Sequence, residues 1–420
     1  MTTTAPHPSH RLPLYLLIAL ILFGAALRLY YFNPALERTP DERTYTRQAN
    51  IVRTQGATGF HFLGQELAAN LPVVSLYPSP LRVGYITLLA AFMQITGDTS
   101  PLAGAHLSLF CSLLSLCLIT ALAWRTLSPV TAIIATLFFA VFPFDLAVSR
   151  RAWQEAFIAL LTIVMLALAV LIARTGSGRR LTALVAFGVV GFLALTTKEN
   201  SGLTFLLCAA GLIVHFTLQR NRRAAILTAV SAVAAVLGYI LVLGSLFGGV
   251  ANAFTLVREC ARVSSFNPYD LQYDSGPVWL FPAGLLRTNP FVFLAVIAGL
   301  IATLARALRT RSTDLSLGIA LLTTSMLVIQ ILTQRYSFRY TAPVYGSLCL
   351  LAGIGANVIF PALQKLLAPL GRIATWAILS FVILVAACHD LNFARETILQ
   401  PELPDLALRP ILGLPPVTLP

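Results

Sequence analysis

Charge is what this chain has least of. Asp, Glu, Lys and Arg make up 11% of its 420 residues, less than half of the roughly 25% usual in soluble domains. Only two of its bases are lysine, Lys198 and Lys365. With 57% apolar residues and a mean hydropathy of +0.82, the chain carries more hydrocarbon than a water-facing fold can hide, which excludes a soluble enzyme. Cysteine is also sparse, and Cys111, Cys117, Cys208 and Cys349 sit inside apolar runs. Only Cys260 and Cys388 remain able to meet on an oxidising side, so a disulfide framework is excluded and one bridge stays open. Acids are nearly absent from the middles of the apolar runs and no internal repeat stands out, which argues against a transporter built on inverted repeats.

What is present is a series of about eleven apolar runs of roughly 17–25 residues, the length that crosses a bilayer as helix. They begin near Leu12, Leu102, Pro129, Glu155, Leu181, Ser201, Ala224, Pro290, Leu315, Tyr340 and Ile373. The expected fold is therefore an all-α polytopic membrane protein. The segment from Val83 to Thr96 is apolar but too short to span, and reads as a re-entrant or interfacial half-helix. The first run follows Arg11 and lacks a small-x-small cleavage site, so it reads as an uncleaved anchor. With the amino terminus inside, the short inner loops hold the basic residues from Arg11 to Arg372 against a single acid, Asp314. The net charge of +13 is thus a positive-inside signal and not the footprint of a nucleic-acid binder. Counting Val83 to Thr96 as a span would turn the Arg-rich turns outward. The chain divides into a transmembrane domain, 1–388, with long extracytoplasmic loops at 33–82 and 248–289, and a Pro-rich extracytoplasmic tail, 389–420, too short for a second domain. The expected location is the plasma (inner) membrane, with the chemistry outside.

Within the first outer loop, Thr39-Pro40-Asp41-Glu42 is a capping box with proline at the first helical position. Tyr45, Ala49 and Val52 follow at helical spacing, and predict a short amphipathic helix whose Arg43, Arg47 and Arg53 face lipid phosphates. An acid pair in a first helical turn is explained by the dipole and the unpaired amides alone; the capping box accounts for Glu42 in that way. Arg150 and Arg151 suit a span end that snorkels to head groups, with Glu155 as a helical ion-pair partner. Lys198 lies outside against the positive-inside bias. Arg335 and Arg339 do the same, four residues apart at one helix entrance, where both can face one anion. Moving a group from a lipid phosphate to a hydroxyl needs a carboxylate to take the proton and cations to hold the leaving phosphate. Asp41 meets the first need; Lys198, Arg150, Arg335 and Arg339 meet the second. His61 and Glu66, with Asp41, match no strong ligand spacing, so His61 reads as a loop residue and a divalent cation stays possible. Tyr30, Tyr31, Trp124 and Trp153 read as an interface belt, with Trp279 the exception that suits a sugar.

The order of these motifs resembles the GT-C superfamily of polyprenyl-phosphate-sugar glycosyltransferases, in the branch that includes protein O-mannosyltransferases and lipid A aminoarabinose transferases. Asp41-Glu42-x-x-Tyr45-x-x-x-Ala49 with Gly56 is similar to the family's first-loop acidic motif. Tyr77-Pro78-Ser79-Pro80-Leu81, a half-helix and Gly97-Asp98 resemble its His-Pro-Pro-Leu segment and Gly-Asp turn, with Tyr77 in place of His. Ser149-Arg150-Arg151 leading to Glu155 resembles the second outer motif, with Glu155 in place of the commoner Asp. Leu195-Thr196-Thr197-Lys198, Tyr273-x-Ser275-Gly276-Pro277 and Arg339-Tyr340-x-x-Pro343 also look familial. The resemblance implies an inverting enzyme that moves a monosaccharide from a polyprenyl-phosphate donor to a hydroxyl of a lipid, glycan or protein acceptor. It implies Asp41, with Glu42, as catalytic, and Lys198, Arg150, Arg339 and Arg335 as phosphate-binding. Glu155, Tyr45 and Tyr273 would orient the substrate, and metal use varies among relatives. A transporter or lipid flippase, and a lipid-linked glycan ligase or polymerase, are the alternatives with the same number of spans.

Overall fold

The computed structural model describes residues 11–71, 78–310, 314–333, 336–398 and 407–418, and among them the regular structure is helical, with no strand. Among the described residues, ten helices are long and apolar enough to cross a membrane, which makes the chain an integral membrane protein. They are α1 (Arg11–Tyr31), α5 (Pro101–Thr126), α8 (Glu155–Arg174), α9 (Ser177–Thr197), α10 (Glu199–Leu218), α11 (Arg222–Leu246), α14 (Pro290–Thr310), α15 (Leu315–Leu332), α16 (Tyr345–Leu367, entered through a 3-10 segment, Phe338–Val344) and α17 (Arg372–Phe393). Shorter helices join them: α2 (Pro40–Gln55), α3 (Ala57–Ala69), α4 (Val83–Thr96), α6 (Pro129–Val141), α7 (Pro143–Val148), α12 (Val250–Ser264), α13 (Leu280–Thr288) and α18 (Leu408–Ile411).

The run beginning at Pro129 is the one that differs from expectation. Its helix α6 has 13 residues, about 20 Å at 1.5 Å per residue, against a hydrocarbon core near 30 Å. Pro143 ends it, because proline has no N–H to give the Phe139 carbonyl one turn back. Phe142 goes extended and the chain restarts as α7. The released carbonyls are taken by Arg28 of α1, whose guanidinium donates to the oxygens of Phe139 (3.1 Å) and Ala140 (3.1 Å) and to Asp145 of α7 (2.6 Å). An arginine buried at this depth is tolerable only when every donor is used.

Helices α14 and α16 cross where Gly299 meets Gly355; a Cβ on Gly355 would lie 1.8 Å from the Ala295 carbonyl oxygen. Small residues let backbones approach in this way where water cannot drive packing. The half-helix α4 is present as expected and ends at Gly97, whose φ of 73° is left-handed. Cys260 and Cys388 are unpaired; Cys260 Sγ lies 3.8 Å from Ser79 Oγ.

Candidate functional site

At one end of the bundle, the N-terminal ends of α8, α10 and the 3-10 segment meet the C-terminal end of α9, and α2 lies beside them. A cavity of about 1160 Å³ opens there, lined by Asp41, Arg82, Trp153, Lys198, Asp270, Asp274, Arg339 and Tyr340 among others. The capping box of α2 forms as read: Glu42 accepts from Thr39 N at 2.7 Å while the Thr39 side chain accepts from Glu42 N. This fixes the first turn of α2 and with it Asp41, the second helical residue. The backbone breaks between α9 and α10 at Lys198, which is extended with φ −166°, so its side chain leaves the bundle axis and reaches Glu155 at the start of α8.

Arg339 ties these parts together. Its two terminal nitrogens donate to Asp41 Oδ2, each at 3.1 Å, and its Nε lies 3.6 Å from Glu155 Oε1. The same Glu155 oxygen accepts from Lys198 Nζ at 2.9 Å. The Arg339 guanidinium stacks 4.0 Å over Trp153, and Lys198 Nζ sits 4.7 Å from the centre of the Tyr340 ring. Burial pushes the Lys198 ammonium below its ordinary range; Glu155 opposes that, and Arg82 and Arg339 reinforce it. Arg82 donates to the Tyr45 hydroxyl at 2.5 Å. Burial keeps that phenol far above its ordinary range, so it stays protonated. With its amide nitrogen turned to the Thr197 carbonyl (3.0 Å), Gln154 bridges Tyr45 and Arg82 through its oxygen. At the centre, Arg82, Lys198 and Arg339 are gathered among Asp41, Glu155 and Glu199, so an anion that enters meets three cations on one wall.

Of the residues singled out from sequence, Asp41, Lys198 and Arg339 meet at the cavity, and Glu155 lies behind them as their shared partner. Glu42 is placed differently. It is fully buried, and besides the cap it accepts from Ala152 N (2.7 Å), Arg38 (3.2 Å) and Arg151 (3.3 Å), which ties α2 to the chain before α8. Arg150 is buried away from the cavity lining, its carbonyl accepting from Arg38 at 3.0 Å. Tyr45 is buried edge-on against Tyr85 behind Arg82, and Tyr273 stacks on Tyr269 at 5.0 Å outside the lining. Arg335 lies outside the described residues, as does Tyr77. No three His, Cys, Asp or Glu side chains converge among the described residues. His61 contacts Gln65 and Glu66 pairs with Arg47 at 2.7 Å, so the set weighed for a divalent cation is dispersed.

Sequence reasoning missed several members. Arg82, just before the half-helix, is a further outer-side base against the charge bias, and that signal was readable. Trp153, expected in the interface belt, is buried under Arg339, and Trp279 is 56% exposed outside the cavity lining. Asp270 and Asp274 carried no motif of their own, since their place depends on how the second outer loop folds.

No protein-family model matches this chain, and no curated protein sequence matches it. Solved structures do. The oligosaccharyltransferase AglB of Archaeoglobus fulgidus, in complex with an inhibitory peptide and a dolichol-phosphate, superposes with a TM-score of 0.65 at 13% identity, over 94% of this chain and 56% of its own. ArnT from Cupriavidus metallidurans bound to undecaprenyl phosphate gives 0.54 at 14% identity, over 90% of this chain and 74% of its own. In the apo state the same protein gives 0.53 at 16% identity, over 95% and 84%. The chain spans about half the length of the archaeal oligosaccharyltransferase. At these identities the likeness establishes the fold, which is the GT-C fold that the motif order suggested.

Proposed function

We propose that this protein is a membrane glycosyltransferase that moves a monosaccharide from a polyprenyl-phosphate donor to a hydroxyl acceptor at the extracytoplasmic face, with inversion at the anomeric carbon. The observation that carries the reading is the forked Arg339, which joins a cavity-lining carboxylate, Asp41, to the Lys198–Glu155 pair at one cavity wall. AglB has been solved with a dolichol-phosphate and ArnT with undecaprenyl phosphate, and a lipid phosphate suits the grouped Arg82, Lys198 and Arg339 of this cavity.

In this mechanism the donor phosphate enters beside Lys198 and draws the donors of Arg339 toward itself. Asp41 then loses its guanidinium partner and is free to take the acceptor proton as the new glycosidic bond forms. Charge that builds on the leaving phosphate falls between Lys198 and Arg339, both held in place by Glu155. Glu42 and Tyr45 act as scaffold, fixing α2 and Arg82. The amino terminus lies inside, the cavity outside, and 1–388 form the catalytic unit, with 389–420 as the extracytoplasmic tail; the loop charges support that orientation.

Transfer of radiolabelled sugar from a panel of polyprenyl-phosphate donors to extracted membrane lipids and glycans, compared between wild type and Asp41→Asn, tests the reading. Transfer that collapses in the variant, with lipid-phosphate binding retained, supports it. Equal transfer by both proteins would remove Asp41 from the chemistry. No transfer by wild type across the panel would favour the transporter or flippase.

A further inference from the structure

The second outer loop carries a group that the mechanism above does not use. Asp274 closes a π-helical turn, Asp270–Asp274, and its side chain lines the cavity although the residue is only 1% exposed. One carboxyl oxygen, Oδ1, accepts from the backbone N–H of Leu408 at 2.9 Å. The other, Oδ2, is buried with no hydrogen-bond partner in the structure. Buried acceptors are seldom left unpaired, and one on a cavity wall is satisfied by what enters the cavity.

The carboxyl is held by a strap. Val417 N donates to the Gln272 carbonyl (2.9 Å) and Arg409 to that of Ser275 (3.3 Å), so the segment 407–418 returns across the loop that bears Asp274. Leu408 is fully buried against Gly284, where a Cβ would lie 2.4 Å from its methyl. Oδ1 of Asp274 is thereby held in place, and Oδ2 stays unpaired just behind the cavity surface. Asp270 sits one turn earlier and accepts from the Tyr340 hydroxyl at 3.3 Å, and the Tyr340 ring is the one beneath Lys198. A continuous wall therefore runs from the cation proposed for the donor phosphate to the unpaired oxygen of Asp274.

The chemistry of the wall selects the occupant. Two acids side by side repel a phosphate, and the positive charge of Arg339 nearby disfavours a second cation. A neutral hydroxyl donor fits both neighbours. We infer that Asp274, positioned by the C-terminal strap, recognises a sugar hydroxyl through Oδ2 and contributes to sugar selection. The inference rests on the glycosyl-transfer reading. The hydroxyl can come from the donor sugar or from a glycan acceptor, and binding experiments separate the two.

The purified full chain is titrated with bare undecaprenyl phosphate, with undecaprenyl-phosphate glucose, mannose and arabinose, and with the corresponding methyl glycosides. In wild type, at least one glycosylated lipid is expected to bind tenfold or more tighter than the bare lipid. Asp274→Asn should bring that lipid within twofold of the bare one, whose own affinity is unchanged; this outcome identifies the donor sugar. If the advantage of the glycosylated lipid persists in the variant but methyl glycoside binding weakens tenfold, the acceptor sugar is identified. Asp274→Ser, which keeps an acceptor for Leu408 and removes the second oxygen, should repeat whichever loss is seen. The inference is overturned if both affinities survive in the variants, if bare and glycosylated lipids weaken equally, or if wild type shows neither a sugar advantage nor glycoside binding. Wild type that binds no undecaprenyl phosphate overturns the transfer reading itself.

Discussion

Two buried ion clusters in this protein use the same chemistry to opposite ends. In the first, Arg28 and Asp145 are both fully buried, and every N–H of the guanidinium is engaged: Nε with Ser112 (2.6 Å), the others with the carbonyls of Gly24, Phe139 and Ala140 and with Asp145. The guanidinium has no donor left to offer a ligand, and the unpaired Asp145 Oδ1 lies outside the cavity lining. In the second, Arg339 and Asp41 keep 21% and 29% of their side chains exposed to the cavity, where an entering ligand can compete for either. A guanidinium with every donor used marks a structural role; a partly exposed pair beside a cavity marks a place where a ligand can exchange partners. Burial and proximity alone would not distinguish them.

Breaking the saturated cluster should have the largest effect. Arg28→Ala leaves Asp145 buried without its cation and the Ala140 carbonyl without its Arg28 donor. Loss of one partner from a buried pair costs about 3–5 kcal/mol. The expected result is little monodisperse protein by size-exclusion chromatography in mild detergent, whatever lipid is added. The open cluster should behave in the reverse sense. Asp41→Asn should lower sugar transfer by about 10²–10⁴, the range that a general base contributes, while its elution profile and melting temperature stay near those of the parent. A large fall in stability on removing the Asp41 charge would mean that both clusters are structural.

Lys198→Ala probes the same contrast at the level of binding. A charge-assisted hydrogen bond contributes about 1.5–3 kcal/mol, so affinity for undecaprenyl phosphate should fall roughly tenfold to a hundredfold. Added salt should weaken the parent more than the variant, because one of the charges that salt screens is gone. An unchanged affinity would place the lipid phosphate elsewhere.

The two clusters also differed in how far the sequence exposed them. Hydropathy runs and loop charges are sums over many residues, so the membrane bundle, the half-helix α4 and the capping box of α2 were legible. Lys198 and Arg339 were legible because each is a base on the side where the bias of the chain disfavours one, and Asp41 because a capping box marks its helical turn. Asp145 was not. It sits inside what reads as one apolar run, and its partner Arg28 is 117 residues away in the chain, so neither announces the other. The run from Pro129 does return the chain to the end of the bundle where α8 begins, but Pro143 breaks it into two helices beside Arg28, and that break is a tertiary fact. Asp274 depends on a backbone N–H from the far end of the chain, which no local pattern can show.

Asp274 gives the smallest effect and the most specific sign. Burial, joined by repulsion from Asp270 and opposed by the Leu408 N–H and Arg339, pushes its carboxyl up to about 7. An unfolded aspartate titrates near 3.9. Below that value both states hold the proton and nothing is lost. Between about 4 and 7 the unfolded chain releases a proton that the folded protein keeps, so stability falls as pH rises, and it levels off once the folded carboxyl ionises as well. Asp274→Asn keeps the Leu408 acceptor and cannot ionise. Its melting temperature relative to the parent should therefore rise by a few degrees between pH 5 and pH 8, and thermal melts of the two proteins in the same detergent at both pH values would show it. A constant difference across that interval would mean that Asp274 is ionised in the folded protein at pH 5, and its free oxygen would then be a charged site that favours a cationic group over a hydroxyl.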